Sequence, residues 1–267
     1  MTGATKVWGR LWVGLWFWTC MVAAPVAGAS EPASDPVGEV PVVPAHINDP
    51  YQDPDFDQWT QTFERPGREV FDERFRIVSA LGLHRGMAVA DVGAGTGLFS
   101  LLFARAVGES GRVYAVDVSQ AFIDKIMERT GDYHVGNVVG VLGTQQSTGL
   151  APGSVDLVFV CDTYHHFEYP RAMLASIAEA LRPGEQLVVI DYRRVPGLSR
   201  SWVLGHVRAG EDEVVEEIGA MGFVRVGAEE FLRDNWFLRF RKRGRDDLPE
   251  PAPDASTYRT TIRSDHE

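Results

Sequence analysis

Residues 87–106 constrain this chain more than any other stretch. Met87–Val92 is a short run, apolar except for Asp91, glycine occupies positions 93, 95 and 97, and Leu98, Leu101, Leu102 and Ala106 follow at helical spacing. The pattern predicts a buried strand, a tight turn and a helix in direct succession. Glycine at alternate positions lets the backbone adopt positive φ and approach a ligand with no Cβ in the way. The unpaired N–H groups of the helix start then face whatever lies in the turn. A ligand site at a strand–helix junction is expected.

The spacing narrows the ligand. A dinucleotide turn reads G-x-G-x-x-G/A and turns its helix dipole toward a pyrophosphate. This chain has G-x-G-x-G, Leu98 where that fingerprint has its last small residue, and Asp91 two residues before the first glycine. A carboxylate beside the turn repels a pyrophosphate and suits a cationic amino-acid group. Val89, Asp91, Val92, Gly93, Gly95 and Gly97 together resemble motif I of the class I S-adenosylmethionine (SAM)-dependent methyltransferases. The resemblance implies that the Gly93-Ala94-Gly95 turn and Gly97 lie against the methionine part of SAM, with Asp91 near its ammonium group. A ribose-binding carboxylate is expected about 20 residues on. Arg112–Asp117 supplies it, a strand ending on Asp117 with Val118 beside it. A carboxylate can accept from both ribose hydroxyls. Asp117 can also be read as a helix N-cap.

The remaining landmarks follow a strand–helix alternation. Asn137–Leu142, Gly153–Cys161 and Gln186–Ile190 read as strands, and Gln120–Arg129, Pro170–Leu181 and a stripe at Val214, Val215, Ile218 and Met221 as helices. Phe223–Val226 and Trp236–Phe240 read as a closing antiparallel pair. Alternating strands and helices imply an α/β fold. With the resemblance, which covers residues 68–243, this becomes a doubly wound, mostly parallel seven-stranded sheet with helices on both faces and an antiparallel last strand. Trp59–Phe63 and Arg68–Phe71 are expected to begin a leading helix whose apolar face continues through Phe75 and Val78. The family usually places an acid after the third strand to meet adenine; this chain has Thr144 and Gln145, which can only hydrogen-bond.

The densest group of reactive side chains is Asp162-Thr-Tyr-His-His166, at the end of the fourth strand. Ligands of open α/β sheets lie beyond the carboxyl ends of the strands. In the resembled family this loop runs past the transferable methyl group. Asp162 is therefore assigned to the cofactor, and Tyr164, His165 and His166 to the chemistry, since neutral histidine can take a proton near pH 7. No metal centre is expected, because neighbouring residues on a helix diverge by about 100°, unlike i and i+4 pairs. Trp202 and His206 are candidates for a substrate wall whose direction the sequence leaves open.

The ends read differently. Lys6 and Arg10 precede a charge-free run from Leu11 to Ala29, whose strongly apolar part, Leu11–Ala24, is 14 residues. That is short for a bilayer span and normal for a signal peptide, and Ala27-Gly-Ala29 fits a cleavage site. The expected organisation is a signal peptide or N-terminal anchor over 1–29, a proline-rich linker over 30–57, a methyltransferase domain over 58–243 and a polar tail over 244–267. Export is expected, to the periplasm or to an outward-facing membrane anchor if the leader stays uncleaved, with a cytoplasmic location as the alternative. The formal charge is −11, and −13 without the leader's two basic residues, which argues against a nucleic-acid partner. The expected activity is methyl transfer from SAM to a small-molecule or lipid-like acceptor. A SAM-binding module without transferase activity and a nicotinamide-dependent oxidoreductase are the alternatives.

Overall fold

A computed structural model describes residues 38–44 and 46–243. The expected leader, the first part of the linker and the polar tail lie outside the described residues. Seven strands, β1 (Ala88–Val92), β2 (Arg112–Asp117), β3 (Val138–Leu142), β4 (Val155–Cys161), β5 (Leu181–Tyr192), β6 (Phe223–Glu229) and β7 (Asn235–Lys242), form one sheet in the order β3-β2-β1-β4-β5-β7-β6. β7 runs antiparallel to both of its neighbours, and every other pairing is parallel. The expected fold class is therefore observed, down to the closing antiparallel pair.

The helices are α1 (Asp49–Gln52), α2 (Phe56–Phe63), α3 (Glu69–Asp72), α4 (Arg74–Ala80), α5 (Leu98–Val107), α6 (Gln120–Asp132), α7 (Pro170–Ala180), α8 (Ser201–His206) and α9 (Glu211–Ala220). β4 shows why the sheet is covered on both faces. Val158 and Val160 pack on one side with Leu174 and Ile177 of α7 and Ile218 of α9. Leu157 and Phe159 pack on the other with Phe99 and Phe103 of α5 and Ile77 of α4. Alternate residues of a strand face opposite ways, so two covered faces require the continuous apolar run seen in the sequence. Each such side chain, fully buried, contributes about 1.5–3 kcal/mol.

Register positions the site. Val92 at the end of β1 pairs with Val116 on one side and Val160 on the other. Gly93, Asp117 and Cys161 therefore sit at one level, at the point where strand order reverses between β1 and β4. This is where an open α/β sheet leaves a crevice.

Two expectations are corrected. The leading helix is three short helices, because Pro66-Gly67 interrupts the chain and Gly67 takes φ +89°. Phe75 does not continue its apolar face; it is exposed beneath the Arg74 guanidinium. The linker also ends before residue 57. Glu39 accepts the N–H groups of Arg171 and Ala172 at the start of α7, Val42 N–H donates to the Glu168 carbonyl, and Asn48 is buried. Short acidic and proline-rich sequence reads as linker when its partners lie 120 residues away.

Candidate active site

A cavity of about 380 Å³ lies over the carboxyl ends of β1 to β5, within the range of small-molecule sites. One end is the glycine turn. Gly93, Gly95 and Gly97 have φ of +75°, +53° and +78°. A Cβ on Gly93 would lie 2.2 Å from Thr163 Cγ2, and one on Gly97 would lie 2.9 Å from Ile126 Cγ1. These two glycines are demanded by packing of the turn against β4's loop and α6. Gly95 differs, since its added Cβ would meet nothing closer than 3.5 Å; its N–H is what the fold uses.

That N–H donates to Asp117 Oδ2 at 2.9 Å, and Ser119 N–H donates to Oδ1 at 2.9 Å. Asp117 is thus locked onto the turn rather than capping α6, whose N-cap is Ser119. Each Asp117 oxygen keeps a second lone-pair site. Asp91 is buried and accepts from Ser100 Oγ at 2.6 Å. Burial raises its pKa to about 7; the Ser100 bond opposes the rise and the Asp117 charge adds to it. Burial also raises Asp117, against its backbone hydrogen bonds. Among the described residues neither carboxylate has an ion-pair partner. Two buried acids lining one cavity without a cation fit a ligand that brings positive charge, as the ammonium and sulfonium of SAM do.

Val118, Thr144 and Gln145 line the same end. Thr144 Oγ1 accepts the N–H groups of Gln146 and Ser147, closing its own loop. Asp162 lies further along. Its backbone is left-handed at φ +50°, and its carboxylate receives Arg68 at 2.6 Å and Asn235 Nδ2 at 2.6 Å. A non-glycine residue in that region carries strain, which persists where neighbours hold it. Arg68 also donates to the Phe63 carbonyl, so it ties the end of α2 to the tip of β4.

The far end is aromatic and imidazole-rich. Tyr51, Trp59, Tyr192 and Trp202 line it with His165, His166 and His206, while Phe63, beside Trp59, reaches back to Gly95. His165 is buried, with Nδ1 at 2.7 Å from Asp191 Oδ1 and its backbone N–H on Oδ2 at 3.0 Å. Burial disfavours its charged form, but the Asp191 carboxylate outweighs this and raises its pKa. His166 Nδ1 lies 3.0 Å from Asn48 Oδ1. Burial and the two neighbouring histidines hold its pKa down to about 2, so the ring is neutral. The rings of His165 and His166 have centroids 4.2 Å apart, within the 3₁₀ turn of residues 164–166. The divergence expected of adjacent histidines does not occur.

Tyr164 is a correction. It does not line the cavity: its ring lies in the core on the α7 face of the sheet, and its hydroxyl donates to Glu217 Oε2 at 2.9 Å. A buried phenol tied to a carboxylate has its pKa pushed far above 10, by burial first and then by that charge. Sequence reasoning also missed Asn48 and Arg68, each of which reaches its partner across about a hundred residues of chain. Asp191 directly follows the expected strand Gln186–Ile190, and its pairing with His165 was not legible from sequence.

Comparison with known proteins supports the resemblance read from the sequence. Residues 89–184 match the family described as methyltransferase domain, and the cavity's glycine turn and carboxylates fall within that match. The match lies within a sheet that has the fold of the SAM-dependent methyltransferases. The cofactor is SAM, and Asp91, Asp117 and the glycine turn provide a fitting cradle. The chain is 30% identical over 123 residues to the ubiquinone/menaquinone biosynthesis C-methyltransferase UbiE of Shewanella pealeana, covering 46% of this chain and 49% of that one. It is 28% identical over the same length to UbiE of Klebsiella pneumoniae. The chain thus spans about half the length of the curated relatives it matches. A SAM-dependent methyltransferase structure from Aquifex aeolicus superposes with a TM-score of 0.62 at 24% identity, covering 71% of this chain and 99% of that one. One from Mesorhizobium loti superposes with a TM-score of 0.54 at 14% identity, covering 66% and 99%. Both share the methyltransferase fold.

Proposed function

We propose that this chain transfers the methyl group of SAM to a small molecule bearing a flat, largely apolar ring. The observation that carries the reading is the continuity of one cavity, from the glycine turn with its two unpaired carboxylates to a wall of tyrosine, tryptophan and histidine. Bound SAM supplies an electrophilic methyl group on a sulfonium. Asp117 and the Gly95 turn are assigned to the ribose and methionine parts, and Asp91 to the ammonium group. Val118, Thr144 and Gln145 stand where the adenine is expected.

The opposite end selects the acceptor. Of the arginines lining the cavity, Arg68 is paired with Asp162 and Arg200 with Asp234. Tyr51 and Trp59 have ring centroids 4.7 Å apart, and Tyr192 and Trp202 4.8 Å. Such walls suit an aromatic ring. His165 and His166 hold its nucleophilic end, His165 fixed by Asp191 and His166 by Asn48. The UbiE relatives, named for C-methylation in quinone biosynthesis, support a ring of this kind.

The test offers SAM with an isotopically labelled methyl group and equal concentrations of phenols, hydroquinones, alkylamines and phosphorylated metabolites, with mass detection of product. Label is expected in the ring compounds. Label confined to amines or phosphorylated compounds would refute the acceptor assignment. The sequence of residues 1–29 further supports the proposal that the chain is exported. Sequencing the N-terminus of the mature protein from fractionated cells tests it, and an intact Met1 in the cytosolic fraction would contradict it.

A further inference from the structure

We infer that His165, His166 and His206 form a binding site for one divalent transition-metal ion of the zinc class, at the acceptor end of the cavity. One nitrogen from each ring lies within 4.8 Å of the other two. The ring centroids are 4.2, 5.2 and 5.0 Å apart, so the three form a compact triangle rather than a row. All three line the cavity.

Hydrogen bonding decides which nitrogens are available. The Asn48 amide donates through Nδ2 to the His166 carbonyl at 3.1 Å and to Glu168 Oε1 at 2.9 Å. Its Oδ1 must therefore accept, which puts a proton on His166 Nδ1 and a lone pair on Nε2. His165 Nδ1 likewise faces the Asp191 carboxylate, leaving Nε2 to ligate. Carboxylate or amide support behind a ring nitrogen is the usual device for orienting a metal-bound histidine.

One of the three separations fits as it stands, and the other two lie within 4.8 Å. His166 Nε2 and His206 Nε2 are 3.4 Å apart. Zinc–imidazole bonds of about 2.0–2.1 Å at tetrahedral angles separate two ligand atoms by about 3.3 Å. As a bare N–H···N hydrogen bond, 3.4 Å is long. Three histidines on a tetrahedral ion leave the fourth position open to the cavity, as catalytic rather than structural zinc sites do. Resting on the proposed methyl transfer, that position would take an oxygen of the acceptor ring and lower its pKa. The site itself stands without that reading.

The experiment uses the full untagged chain, stripped with chelator and titrated with Co²⁺ in the absence of SAM and acceptor. One equivalent per chain is expected, with the intense visible bands of four-coordinate cobalt, displaced by Zn²⁺. His206→Ala and His166→Ala, each checked for fold by circular dichroism, are expected to abolish those bands. His84→Ala, outside the cluster, is expected to retain them. Asn48→Ala and Asp191→Asn should weaken binding by about 10–100-fold. Lack of stoichiometric binding, or binding undiminished in folded His206→Ala and His166→Ala, would overturn the site. Because neither SAM nor acceptor is present, that result would leave methyl transfer untouched, and inactivity with SAM would leave the metal site untouched.

Discussion

Asp191 holds His165 twice: one carboxylate oxygen lies 2.7 Å from the ring Nδ1 and the other accepts the residue's own backbone N–H at 3.0 Å. The same strand end thereby fixes both the position of the 3₁₀ turn and the rotation of the imidazole. Because Asp191 favours the charged ring, the folded pKa of His165 lies above its unfolded value. The stabilisation is fully present below the unfolded pKa and is lost as pH rises through the folded one. Asp191→Asn removes the charge from a buried pair and is expected to cost about 3 kcal/mol at pH 6, with the difference from wild type narrowing at higher pH. Urea unfolding at several pH values reads both numbers.

Asp91 titrates in the opposite sense to an ion-paired acid. Its folded pKa is about 7 against an ordinary value of 3.8, so the folded state binds the extra proton between those values. Stability from this group is complete below about pH 4 and declines until about pH 7. Cofactor binding should show the counterpart. If the SAM ammonium meets ionised Asp91, affinity rises from pH 6 to 8 and binding at pH 6 releases a proton. Calorimetry in two buffers of different ionisation enthalpy measures that proton; binding with no release and no pH dependence would remove Asp91 from the assignment.

Asp117→Ala leaves ribose hydroxyls without an acceptor and also frees the Gly95 and Ser119 N–H groups. A loss of about 1–3 kcal/mol in SAM affinity is expected. Unchanged affinity, read by calorimetry, would refute the role given to this carboxylate.

Gly93→Ala is expected to be far more damaging than Gly95→Ala. Both positions have positive φ, which costs an L-residue about 1–2 kcal/mol. Only at Gly93 would the new Cβ also collide with Thr163, at 2.2 Å, adding about 1–3 kcal/mol of overpacking. Thermal unfolding of the two variants gives the comparison directly.

The sequence disclosed the elements whose signals are local. β1, its glycine turn, α5 and Asp117 were legible because strand period, turn chemistry and a carboxylate at fixed spacing all lie within 30 residues. Tyr164 was misassigned because the 3₁₀ turn that presents His165 and His166 to the cavity sends the tyrosine into the core on the α7 face. Turn type was not readable from Thr-Tyr-His-His. Asn48 and Arg68 escaped for another reason. Each acquires its role from a partner brought close only by the closed sheet, and nothing in their own neighbourhoods marks them.

Methyl transfer is tested most directly by the appearance of S-adenosylhomocysteine when the full chain is incubated with SAM and ring-bearing acceptors. Acceptor-dependent formation of S-adenosylhomocysteine is expected, reduced in His165→Ala and His166→Ala. Saturable SAM binding with no S-adenosylhomocysteine formed against any acceptor would contradict it and leave a SAM-binding module.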